Sequence, residues 1–139
     1  MAKTLLYRLF GIGKLPPQLV AEFRNEGVLF SDEGIRGTVT YKNFRGGGWR
    51  YSNWKRQWFA AAITLTEKRL VAYRLRHPII DVALDDPRLK QVEFSIEEPE
   101  TLLLAFDASW FQPNWTGRIE YRFRTPVSLG IAEHLVELS

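Results

Sequence analysis

The chain has 139 residues, a formal net charge of +3, two histidines and no cysteine. That length fits one domain, which would bury roughly two-thirds of the surface its unfolded form exposes, so a core without covalent staples is feasible. The absence of cysteine excludes disulfides, thiolate nucleophiles and Cys-ligated zinc, and the modest charge argues against nucleic acid as the partner.

Residues 3–10, with Leu5, Leu6, Leu9 and Phe10, suit a short amphipathic helix ended by Gly11 and Gly13. The run is too short for a signal-peptide core and is interrupted by Arg8, and nothing later approaches the ~20 apolar residues of a membrane span. The expectation is a soluble, cytoplasmic protein, with peripheral membrane contact as the other option. Pro16 and Pro17 open a second helix over residues 18–25, with Gly27 placed as its stop and Leu19, Val20 and Phe23 as its buried face. Residues 1–26 therefore read as a helical extension that packs on something else.

From residue 27 onward the patterns are those of strands. Val28, Leu29 and Phe30 form a short apolar run, Ser31-Asp32-Glu33-Gly34 reads as a turn, and residues 35–44 suit a strand bulged near Gly37. Gly46-Gly47-Gly48 reads as a flexible turn, because three glycines forfeit side-chain packing inside a strand. Residues 49–58 then run into the stretch the rest of the chain is arranged around, residues 59–76. Phe59, Ala61, Ile63 and Leu65 share one face there, and Val71, Tyr73 and Leu75 resume the alternation after Thr66-Glu67-Lys68, which predicts a hairpin. On the face opposite Phe59 and Ile63, Ala60, Ala62 and Thr64 are small, as expected where another backbone packs closely.

His77-Pro78 marks a break, residues 79–84 a strand, and Asp85-Asp86-Pro87 its end. Three alternating sets follow: Val92, Phe94 and Ile96; Leu102, Leu104 and Phe106; and Ile119, Tyr121 and Phe123, the last interleaved with Arg118, Glu120, Arg122 and Arg124. Thr125 is a good N-cap before Pro126, and Val127, Ile131, Leu135 and Leu138 recur at helical spacing. The sum is a mainly β domain over residues 27–139, a barrel or sandwich of about seven antiparallel strands with a C-terminal helix capping an open end.

The strand-turn-strand of residues 63–73, ITLTEKRLVAY, and the terminal helix over residues 127–138 make the chain resemble the pleckstrin-homology-like superfold, in particular its GRAM-like and small bacterial members. The resemblance covers roughly residues 27–139 and leaves residues 1–26 outside it. It implies a fold that hosts lipid binding, peptide binding and scaffolding, and a loop between the first two strands where Lys and Arg gather to hold a phosphorylated head group.

Lys42, Arg45, Arg50, Lys55 and Arg56 flank the glycines in the corresponding place, so this basic and aromatic hairpin is the first candidate site, for an anionic partner. The second is the connector 107–116, where Trp110, Phe111 and Trp115 either offer apolar contact to a partner or fold back over the barrel end. No catalytic set is recognised: Asp85-Asp86 and Glu97-Glu98 are adjacent pairs whose side chains diverge, and neither His77 nor His134 has a nucleophile at a known spacing. No metal motif and no cofactor-binding motif is present. The expectation is a non-catalytic module binding an anionic membrane surface or an acidic protein face. The alternatives are self-association, in which the basic hairpin meets the acidic stretch 81–100 of another copy, and carriage of a small hydrophobic ligand, which Phe94, Phe106, Tyr121 and Phe123 oppose by filling the interior.

Overall fold

A computed structural model describes residues 17–46, 49–74, 77–98 and 100–137; the expected helix over 3–10 and the last stripe residue, Leu138, lie outside the described residues. The chain order is α1 (Pro17–Glu26), β1 (Val28–Gly46), β2 (Trp49–Thr66), β3 (Arg69–Arg74), β4 (His77–Ala83), a 3-10 turn (Pro87–Gln91), β5 (Glu93–Glu97), β6 (Thr101–Asp107), β7 (Thr116–Arg124) and α2 (Ser128–Glu137). All strand pairs are antiparallel, in the order β4-β3-β2-β1-β7-β6-β5, and the sheet curls into a half-barrel. Two meanders are thus joined along β1 and β7. The edges fall to β4, which carries Pro78, and to the five-residue β5, both of which suit edge positions.

The expected alternation fills the concave side. Ile35, Val39, Phe59, Ile63, Leu65, Leu102, Leu104, Phe106, Ile119 and Phe123 are buried in one cluster, and Ile131, Ala132 and Leu135 of α2 close it. Phe59, Phe106, Phe111, Tyr121 and Phe123 form a continuous set of ring contacts with centroids 5.1 to 6.4 Å apart, so the interior is occupied by aromatic side chains. Burial pushes the Tyr121 phenol well above its ordinary pKa.

Two local readings are corrected. Ser31-Asp32-Glu33-Gly34 is not a turn: β1 runs through it, with a register shift between Glu33 and Ile35 where Gly34 takes a φ of +68°. Its polar side chains are used within the fold, since Ser31 Oγ bonds Thr64 Oγ1 at 2.9 Å and buried Asp32 accepts from the Thr125 hydroxyl at 2.6 Å. Gly37, in turn, pairs in regular register with Phe59, and a Cβ there would meet the Phe59 ring at 2.6 Å. The glycine makes room for an aromatic ring laid across it rather than forming a bulge.

On the convex side, α1 covers one half of the sheet. Phe23 is buried against Ala62 and Val71, flanked by Leu19, Val20 and Tyr73, so Ala62, one of the small residues opposite Ile63, receives this helix. Gly27, at φ +85°, ends α1, and its carbonyl accepts from Glu67 N at 2.9 Å. Arg69 fastens the helix: its guanidinium reaches Glu26, Glu22 and Asp81 at 3.0, 3.2 and 2.9 Å and lies over the Phe23 ring at 5.2 Å.

A candidate anion-binding face on the open half of the sheet

The other half of the convex side, over β1, β7, β6 and β5, is a lattice of charged and hydroxyl side chains set by strand register. Successive cross-strand rows place Arg36 opposite Arg124, Thr38 between Trp58 and Arg122, Thr40 between Arg56 and Glu120, and Lys42 opposite Arg118. Because these positions alternate with the core residues of the same strands, all of them face outward.

Glu120 is the hub of this lattice. It is only 4% exposed, and its Oε2 accepts from Arg118 Nε at 2.7 Å and Lys42 Nζ at 3.3 Å. Arg122 Nη1 stands 3.1 Å from Oε1 without hydrogen-bond alignment, so that contact is electrostatic. Arg118 also pairs with Glu93 at 2.9 Å, and Arg122 with Glu97 at 2.7 Å. Three cations and three carboxylates thereby balance. Burial acts to raise the Glu120 pKa, but the hydrogen bonds from Arg118 and Lys42 and the neighbouring positive charge hold the carboxyl below its ordinary range.

Beside this balanced patch lies an unbalanced one. A groove of about 200 Å³ is lined by Arg36, Thr38, Arg56, Trp58, Glu97, Thr101, Arg122 and Arg124, four guanidiniums against one carboxylate that Arg122 already engages. Arg36 stacks on the exposed indole of Trp58 at 5.3 Å, and Arg56 Nε donates to Thr40 Oγ1 at 3.1 Å. Among the described residues, neither Arg36 nor Arg124 has an acidic partner. Thr38 on the groove lining is 6% exposed, and its buried hydroxyl has no hydrogen-bond partner among the described residues. Leaving such a group unpaired costs about 1–3 kcal/mol.

The four candidate residues of the hairpin whose side chains are described are not brought together as one patch. Lys42 and Arg56 face the convex side, and Lys42 is taken up by Glu120. Lys55 lies opposite Tyr41 on the other face of the ladder, Arg45 is exposed beyond the register shift between Lys42 and Arg45, and Arg50 falls outside the described side chains. Arg36, Thr38, Arg122 and Arg124 come to the face instead. The alternation of Arg118, Arg122 and Arg124 along β7 was the visible signal for them, but only the pairing of β7 with β1 turns it into a cluster.

The connector aromatics fold back. Trp110 contacts Phe106 at 4.8 Å and donates Nε1–H to the Arg88 carbonyl at 3.0 Å; Phe111 meets Phe106 at 5.1 Å; Trp115 meets Phe44 edge-on at 5.4 Å. All three are half-buried against the core, and Arg88 covers the Trp110 ring at 4.7 Å. Among the described residues no group of histidine and carboxylate side chains is placed to hold a metal ion, and no helix is long and apolar enough to cross a membrane. Searches against protein-family models, curated proteins and solved structures find no match for this chain.

Proposed function

We propose that the chain is a non-catalytic interaction module of the pleckstrin-homology-like type that meets an anionic partner, a membrane surface or an acidic protein face, with the open half of its convex side. The observation that carries this reading is the surplus of guanidinium groups around the groove, set beside a patch in which every cation has a carboxylate. Arginine suits the role, since its planar fork binds oxyanions in pairs of hydrogen bonds and sheds water readily. Support for the pleckstrin-homology-like assignment comes from the long β1–β2 hairpin, the strand order and the terminal helix on the open side. The half-buried state of Trp110, Phe111 and Trp115 gives them a packing role in this scheme, and the charged face does the recognition.

The test is co-sedimentation with neutral vesicles, anionic vesicles and poly-glutamate at low and moderate salt, using wild type beside Arg36→Glu/Arg56→Glu/Arg124→Glu. Wild type is expected to bind an anionic target only, with binding weakened by salt, since each basic residue near an anionic surface contributes about 1 kcal/mol that screening removes. The charge reversal is expected to abolish it. Association with neither anionic target, or binding that survives charge reversal, would overturn the reading.

A further inference from the structure

We infer that the Arg36–Thr38–Arg124 end of the groove is a site for a phosphate-type oxyanion. The inference deepens the functional reading above and rests on the same face, but its test separates the two. Three observations converge. Arg36 and Arg124 are cross-strand partners on the β1–β7 ladder, a placement of like charges that costs stability and that a bound anion would relieve. One row along, Thr38 supplies a buried hydroxyl with no partner among the described residues, on the same face and lining the same groove. Arg122 borders it from the β7 side, already oriented by Glu97 through two hydrogen bonds at 2.7 and 3.3 Å.

A tetrahedral, doubly charged anion satisfies this set in a way a carboxylate does not. It offers acceptor oxygens in several directions, so the two guanidiniums and the hydroxyl one row along can each donate to a different one. Glu97 at the rim, held by Arg122, repels an anion placed toward β5 and confines it to the Arg36–Arg124 side. The site lies on the sheet face, away from the glycine turn between β1 and β2 where the sequence places its basic hairpin. The ligand is defined by its phosphate group alone, whether free in solution, carried on a small monoester or exposed on a lipid head group.

The test is thermal unfolding and heteronuclear NMR titration with inorganic phosphate, glycerol 3-phosphate and vesicles bearing a phosphate monoester, each against chloride or acetate at the same ionic strength. Phosphate is expected to raise the unfolding temperature where chloride and acetate do not, with the largest amide shifts at residues 36–38 and 122–124. Arg124→Gln and Arg36→Gln are each expected to weaken apparent affinity by about tenfold, as for loss of one charge-assisted contact. Thr38→Val keeps the shape and removes the unpaired hydroxyl, so it is expected to unfold no more easily than wild type while losing most of the response to phosphate. A response to both soluble phosphates marks the group itself as the ligand, and a response to the vesicles alone places it on a lipid. If no phosphate source exceeds chloride, or if Thr38→Val and Arg124→Gln respond as wild type does, the inference falls. Anionic-vesicle binding by wild type that Thr38→Val leaves intact, with no phosphate source exceeding chloride, would sink the oxyanion site and leave the charged-face reading standing.

Discussion

Glu120 shows what a single residue does for this face. Three cations converge on a nearly buried carboxylate, and its depressed pKa sets the direction of a pH effect. A carboxyl whose folded pKa lies below its unfolded value contributes stability above the unfolded value and loses it as pH falls through the folded one. Stability is therefore expected to hold down to about the ordinary value of 4.5 and to fall below it. Glu120→Gln, which keeps the shape, is expected to cost about 1–3 kcal/mol at neutral pH and to flatten the acid limb. Urea unfolding at neutral and acid pH decides this; parallel acid limbs in the two proteins would show that Glu120 does not govern it. Thr125 is the second such residue. Its hydroxyl donates to Asp32 and accepts from Val127 N, tying the start of α2 to β1. Thr125→Val is expected to destabilise by about 1–3 kcal/mol, because it leaves a buried carboxylate short of a donor. A change below about 0.5 kcal/mol, the scale of an ordinary surface substitution, would show that the tie is redundant.

Among the elements, α1 is held to the sheet in the described residues by a short set of contacts. Phe23 is its deepest residue, seated on Ala62 and Val71, and Arg69 grips its acidic side. Ala62→Leu is expected to fill the space Phe23 occupies and cost about 1–3 kcal/mol, the usual penalty of overpacking. The expected pattern in hydrogen exchange is loss of protection over residues 17–26 with the β1–β2 amides unchanged; uniform loss across the sheet would mean that α1 is part of the core. This docking was half legible in sequence. The small face of Ala60, Ala62 and Thr64 announced a close neighbour, and Leu19, Val20 and Phe23 announced a helix with an apolar side, but nothing local joins the two. The strands were legible for the opposite reason, since period-two alternation is a local property that one buried face enforces. The reading failed at residues 31–34, where turn-forming composition outweighed the strand and the long-range bonds of Ser31 and Asp32 could not be foreseen.

At the scale of the whole molecule, charge that looks polarised along the sequence is largely folded back on itself. The stretch 81–100 holds most of the acidic surplus, yet Asp81 pairs with Arg69, Asp86 with Arg88, Glu93 with Arg118 and Glu97 with Arg122. Of the hairpin cations, Lys42 is spent on Glu120 in the same way. This is why the candidate site was only partly legible: a run of like charges along the chain says nothing about which opposite charges a sheet will bring across from β5 and β7. What survives folding among the described residues is the pair of guanidiniums at Arg36 and Arg124, in a groove lined by a single carboxylate, Glu97. We predict that head-to-tail self-association is weak, since Asp81, Asp86, Glu93 and Glu97 of the acidic stretch are already paired within the chain. Sedimentation equilibrium at high protein concentration and low salt is expected to return a monomer mass. A mass that rises with concentration and returns to the monomer value on adding salt would mean that Asp85, Glu98 and Glu100 suffice to recruit another copy, and the convex face would then be a contact between subunits.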